Sequence, residues 1–138
     1  MNLEKFYFKL QNDLKYLHLM ADITDELLQT YGYPESIKDD LSLSVTELCE
    51  NAIIHGNKND KSKFINVEFF LEGNKVTIEV EDEGGSFNKK KINDPTKEDL
   101  LKTSGRGIFI VEHLVDEFSY SFSDNNNTKI QIIKNVKS

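Results

Sequence analysis

Apolar residues recur along this chain at two spacings, and each change of spacing marks an element. Residues 3–10 alternate, with Phe6, Phe8 and Leu10 on one face, which predicts a half-buried strand. From residue 14 the interval lengthens. Leu14, Leu17, Ala21, Thr24, Leu28 and Tyr31 keep a helical period, with Asn12 or Asp13 placed to cap the helix and Gly32 and Pro34 to end it. A second helix follows, with Ser36 as its expected cap and Asp39 adding negative charge near its positive end. It runs to about Gly56, with Leu41, Val45, Leu48, Cys49, Ala52 and Ile53 as its apolar stripe. Alternation returns at Phe64–Leu71 and again over residues 75–80. Gly73-Asn74 between them predicts an antiparallel hairpin. Residues 87–104 are polar, contain Pro95 and hold no strong period, which suits a lid or a loop. Ile108, Val111, Val115 and Phe118 restart helical spacing. Residues 120–123 and 128–133 predict a closing hairpin across 124–127. Strands with the helices gathered between them make an α+β two-layer sandwich.

Composition narrows the function classes. The 138 residues suit a single domain over 1–138. No apolar run approaches the ~20 residues of a membrane-spanning helix, and the N-terminus lacks the apolar core of a signal peptide. Cys49 is the single cysteine, so no intramolecular disulfide can form, and a cytoplasmic location is expected. The formal net charge is −7, and the short lysine run at 89–91 is followed closely by Asp94, Glu98 and Asp99. Such a balance argues against nucleic acid as a direct partner and for proteins or small molecules.

Three places carry residues suited to chemistry. On the second helix Glu47, Asn51 and His55 stand at four-residue intervals, beside the apolar stripe. Mg²⁺ takes hard oxygen ligands, so Asn51 could ligate it, and Glu47 one turn earlier could act as a general base. His55 is read as making a structural hydrogen bond near the helix end. The second place is Asp82 with Gly84, at the end of a strand. A carboxylate there can accept a hydrogen bond from an adenine amine while the glycine lets the backbone pass close to the base. The third is Gly105-Arg106-Gly107, opening a helix, where backbone N–H groups can hold phosphate and Arg106 can add a charged contact. Each pattern also has an ordinary structural explanation, and ExxxN or GxG alone occurs in many chains.

Their order is more specific: helix with ExxxN, strand with DxG, polar lid, then GxG opening a helix. In this the chain resembles the GHKL (Bergerat-fold) ATPase domains, and more closely the RsbW-type anti-sigma-factor serine kinases of bacteria. The motifs are ELCENAIIHGN at 47–57, VEDEGGSF at 80–87, DPTKEDLL at 94–101 and SGRGIFIVEHLVDEF at 104–118. The resemblance implies a mixed, mainly antiparallel sheet with helices on one face. It implies Glu47 as the catalytic glutamate and Asn51 as the Mg²⁺-binding asparagine. Asp82 and Gly84 would serve adenine, Gly105, Arg106 and Gly107 the phosphates, and Thr128 would support Asp82. One position departs from the superfamily's DxGxG pattern, Ser86 standing where the last glycine falls, a feature shared with the anti-sigma branch. The implied function is an ATP- and Mg²⁺-dependent protein serine/threonine kinase. It would phosphorylate an anti-anti-sigma (STAS) partner, sequester a sigma factor and form a homodimer. A module that binds nucleotide and partner without transferring phosphate needs the same motifs, and Glu47 is what favours the kinase.

Overall fold

The computed structural model describes residues 2–84, 106–123 and 127–136. The lysine run 89–91, the lid 87–104, Gly105 and residues 124–126 of the last hairpin lie outside the described residues. Strand β1 (Glu4–Gln11) leads through a short 3-10 turn at Leu14–Tyr16 into helix α1 (Leu17–Thr30). Helix α2 (Glu35–Asn51) continues directly into a π turn, Ala52–Gly56. Strands β2 (Phe64–Leu71) and β3 (Lys75–Glu81) follow, then helix α3 (Gly107–Leu114) and strands β4 (Glu117–Phe122) and β5 (Thr128–Asn135).

The strands form one sheet in the order β1-β2-β3-β5-β4, and all four pairings are antiparallel. Among the described residues the sheet is therefore antiparallel and not mixed. Alternation decides its two faces. Ile65, Val67, Phe69 and Leu71 of β2, Val76, Ile78 and Val80 of β3, and Ile130 and Ile132 of β5 are all buried. Phe6, Phe8 and Leu10 pack against the same core, with the Phe8 ring edge-on to Phe69 at 5.9 Å. The helices cover this face: α2 packs between α1 and α3, burying Leu41, Val45, Leu48 and Cys49. Burial pushes the Cys49 thiol up to about 12, so it stays a neutral core side chain.

Local signals decide most element ends. Asp13 caps the 3-10 turn by accepting the Lys15 N–H at 3.1 Å, while Asn12 is drawn inside. Gly32 takes φ +80, and the Tyr33 N–H returns to the Leu28 carbonyl at 3.0 Å, closing α1 with a Schellman motif. Two boundaries differ from expectation. Ser36 is not the cap of α2. Pro34 occupies the N-cap position in extended conformation, its carbonyl accepts from Ile37 and Lys38, and Ser36 falls inside the first turn. The helix starting at Gly107 stops at Leu114 and does not reach Phe118. Val115 turns extended, and the Asp116 N–H joins the sheet at the Ile133 carbonyl, 2.9 Å away.

Candidate active site

At the end of β3 the chain delivers Asp82 into the core, where it is 3% exposed. Its Oδ1 accepts the N–H of Thr128 and the N–H of Gly84, each at 3.1 Å. The Asp82 N–H in turn donates to the Thr128 carbonyl at 3.0 Å. Burial raises the carboxyl to about 6, against the pull of those two N–H donors; Glu81 adds to the rise and Lys63 opposes it. Beside it Thr128 Oγ1 is buried with no hydrogen-bond partner among the described residues. Thr128 thus supports Asp82 through its backbone, and its hydroxyl remains for something else.

Glycines allow this approach. A methyl group at Gly56 would overlap the Asp82 carboxylate, and one at Gly84 would overlap the Gly56 carbonyl. Gly84 is thus required by packing within the chain, where the sequence pointed only to contact with a base.

The second half of the site lies between α2 and α3. Glu47, Glu50, Asn51, His55, Arg106 and Gly107 line a cleft of about 170 Å³. The Glu47 carboxyl is raised from its ordinary value by burial and, secondarily, by Glu50. A methyl group at Gly107 would come within 2.7 Å of Glu47 Oε2, so glycine there lets the carboxylate lie against the start of α3. Asn51 closes α2, and its Oδ1 is buried without a hydrogen-bond partner among the described residues. Buried acceptors are rarely left so, because the lost hydration costs about 1–3 kcal/mol. The His55 ring lines the same cleft. The π turn at 52–56 carries His55 and Gly56; such turns are frequent at functional sites.

Residues 10–134 match the histidine kinase-like ATPase domain family. The chain belongs to this family. Within it the anti-sigma branch stands close. The anti-sigma F factor of Clostridium acetobutylicum is 34% identical over 129 residues, 91% of this chain and 87% of that protein. The anti-sigma F factor of Anoxybacillus flavithermus is 34% identical over 95 residues, 67% of this chain and 65% of its own length. The serine-protein kinase RsbW of Bacillus subtilis is 33% identical over 93 residues, covering 62% of this chain and 58% of RsbW. Two solved structures share the fold. The RsbU and RsbW domains of a Mycobacterium tuberculosis protein superpose with a TM-score of 0.71 at 20% identity, over 98% of this chain and 33% of that one. The SiaB–SiaC complex of Pseudomonas aeruginosa gives 0.69 at 11% identity, over 93% and 88%.

In this ATPase domain the structure brings Glu47, Asn51, Arg106 and Gly107 to one cleft, and Asp82, Gly84 and Thr128 to one buried cluster at the foot of α2. Gly105 lies outside the described residues. Two contributors were not singled out as site residues from the sequence. Gly56 is expected only as a helix end, and Asn57 enters only as the last residue of the 47–57 motif. Asn57 is fully buried: its Nδ2 donates to Asn12 Oδ1 and to the Phe64 carbonyl, each at 2.9 Å, and its Oδ1 accepts the Glu83 N–H at 2.8 Å. It thereby ties the end of the π turn to the loop that holds Asp82 and Gly84. The sequence signal was slight: a polar residue straight after the glycine that ends a helix. No helix among the described residues is long and apolar enough to cross a membrane.

Proposed function

We propose that this chain is a cytoplasmic serine/threonine kinase of the anti-sigma type. It binds Mg²⁺·ATP, phosphorylates a hydroxyl on an anti-anti-sigma (STAS) partner, and holds a sigma factor, acting as a homodimer. The observation that carries this reading is Asn51 Oδ1. It is a buried acceptor without a partner among the described residues, one helical turn from a carboxylate whose surroundings make it a better base. A hard cation suits that oxygen: Mg²⁺ keeps most of its waters and needs few protein ligands. When bound, it supplies neutralising charge to the phosphate oxygens.

The chain's own residues then have distinct tasks. Glu47 accepts the proton of the incoming hydroxyl. Arg106 and the N–H groups at the start of α3, with Gly105 before them, hold phosphate oxygens. Asp82 accepts from the adenine amine, its Oδ1 already anchored by Thr128 and Gly84, and the Thr128 hydroxyl, without a partner among the described residues, is available to the same ligand. Phosphoryl transfer needs little more from a protein than this positioning and charge.

Incubation of the protein with ATP, Mg²⁺ and STAS-domain proteins of the same genome tests the reading through phosphate incorporation. Glu47→Gln is expected to keep ATP binding and lose transfer by about 10²-fold or more. Transfer that survives in Glu47→Gln removes Glu47 as the base. Nucleotide binding with no transfer in the unaltered protein would leave a binding module.

A further inference from the structure

The helix layer has two properties that nucleotide chemistry does not use. The first is charge. Helices α1, α2 and α3 carry nine carboxylates and one lysine, a net −8 against −7 for the whole chain. That lysine, Lys38, is buried and donates to Gln29 and Glu35, each at 2.9 Å. Among the described residues the other cations therefore sit on strands and connections, and the helices themselves are strongly acidic. Among the described residues, cations at the edges of this layer include Lys15, in the turn before α1, Arg106, in the cleft itself, and Lys134, tied to Asp40 at 3.2 Å and to the Leu114 carbonyl at 2.6 Å.

The second property is exposed apolar surface within that acidic field. Leu43, Phe109 and Ile110 are 46%, 55% and 39% exposed. Their position follows from how α2 and α3 run. Gly107 lies against Glu47, while Leu114 and Asp40 share Lys134, so the two helices are antiparallel. Leu43 is one turn from Glu47, and Ile110 one turn from Gly107, both in the same direction. They flank the cleft on one side, and Phe109 extends the patch along α3. On α2 the stripe reads Asp39, Leu43, Glu47: an exposed carboxylate, an exposed apolar side chain, then the carboxylate of the cleft. A folded protein that brings a hydroxyl to Glu47 covers about 800 Å² around it, and this is the adjoining ground.

We propose that the outer face of α2 and α3, centred on Leu43, Phe109 and Ile110 within a rim of carboxylates, docks the protein that is phosphorylated. The face recognises a basic, partly apolar surface around that protein's acceptor hydroxyl. The proposal rests on the kinase reading for the direction of approach, while the surface chemistry stands by itself. Opposite charge on the partner would speed encounter and set its orientation, and the apolar centre would hold it.

The test uses purified STAS-domain proteins of the same genome, with binding measured by calorimetry in the presence of Mg²⁺ and a non-hydrolysable ATP analogue, and phosphorylation measured separately. Two variants are compared with the unaltered protein: Asp39→Lys, and Leu43→Ser combined with Phe109→Ser. Both lie on exposed positions, and affinity for a fluorescent ATP analogue is followed as a control. The expected result is a rise of about tenfold or more in KM and Kd for the acceptor, with kcat and analogue affinity unchanged. Raising NaCl from about 50 to about 500 mM should weaken binding to the unaltered protein more than to Asp39→Lys. Lost binding in the variants without any phosphorylation by the unaltered protein would sustain the docking face and sink the kinase reading. Unchanged KM and Kd would overturn the docking face alone. So would a change in oligomeric state, which makes a second copy the occupant, or a change in analogue affinity, which makes these residues part of nucleotide binding. If the unaltered protein binds none of the STAS proteins, the proposal also falls.

Discussion

Asp82 is stabilised as a ligand and destabilised as a charge. Its carboxyl is raised to about 6 from an ordinary 3.8, so the folded state binds its proton more tightly than the unfolded chain does. The linked stability is fully present below about pH 4 and is lost as pH rises through about 6. At neutral pH the ionised form costs on the order of 3 kcal/mol. Asp82→Asn is therefore expected to be more stable than the unaltered protein at pH 7, with the difference narrowing by about half at pH 5, while ATP binding weakens. Urea unfolding at the two pH values checks the sign; a difference that grows on acidification would contradict it. The residue types at 47, 51, 82, 84, 106, 107 and 128 were all legible in the sequence. Their environments were not. Nothing in EDEGG says that the aspartate is buried, that Gly84 is demanded by the Gly56 carbonyl, or that Asn51 Oδ1 lacks a partner among the described residues. Burial and satisfaction are properties of neighbours distant along the chain.

The element that joins both halves of the site is α2 with its π turn. The helix presents Glu47 and Asn51 to the cleft, and the turn then places Gly56 against Asp82. Asn57 fastens the junction, while Asn12 donates to the Asp60 carbonyl at 3.1 Å and bonds Asn57 from the end of β1. Asn57→Ala strips the partners from the Asn12 Oδ1, the Phe64 carbonyl and the Glu83 N–H at once. It is expected to cost about 2–4 kcal/mol and to weaken nucleotide binding with it, because the Asp82 loop loses its anchor. Thermal unfolding together with titration of an ATP analogue measures both; a stability loss under about 1 kcal/mol would show the network to be dispensable. At this scale the sequence read well where one local signal decided, as in the Gly32 end of α1 and the Gly73-Asn74 turn. It misplaced the end of α3 because Val115 and Phe118 satisfy a helical interval, while Phe118, Tyr120 and Phe122 also satisfy a strand's alternation. The bond from Asp116 to Ile133 decides for the strand. Ser36 looked like a cap for a similar reason: the pattern could not show that the Pro34 carbonyl had taken the role.

At the scale of the molecule, one apolar face of a five-stranded sheet meets three helices among the described residues, and Phe69 sits fully buried at the centre with Phe8 against its ring. Phe69→Ala is expected to lower stability by about 3–5 kcal/mol, a large share of what a domain this size commands. Denaturant unfolding checks it, and a loss below about 1.5 kcal/mol would place the core's centre elsewhere. The same layering sets the acidic helix layer opposite a sheet face of mixed charge, where Glu68, Glu79 and Glu81 stand near Lys129. By itself the amino-acid order determined the periods, hence the number and kind of elements. It also set the order of motifs, hence the family and the residue types of the site. Those depend on spacing along one chain, which sequence contains. Only the tertiary structure decided that β5 enters between β3 and β4, that every pairing is antiparallel, and that Thr128 meets Asp82 through its backbone. It also decided that Asn57 locks the loop beside Gly56 and that Leu43 and Ile110 flank the cleft together. These are long-range juxtapositions, set by which faces bury one another, and no local pattern records them.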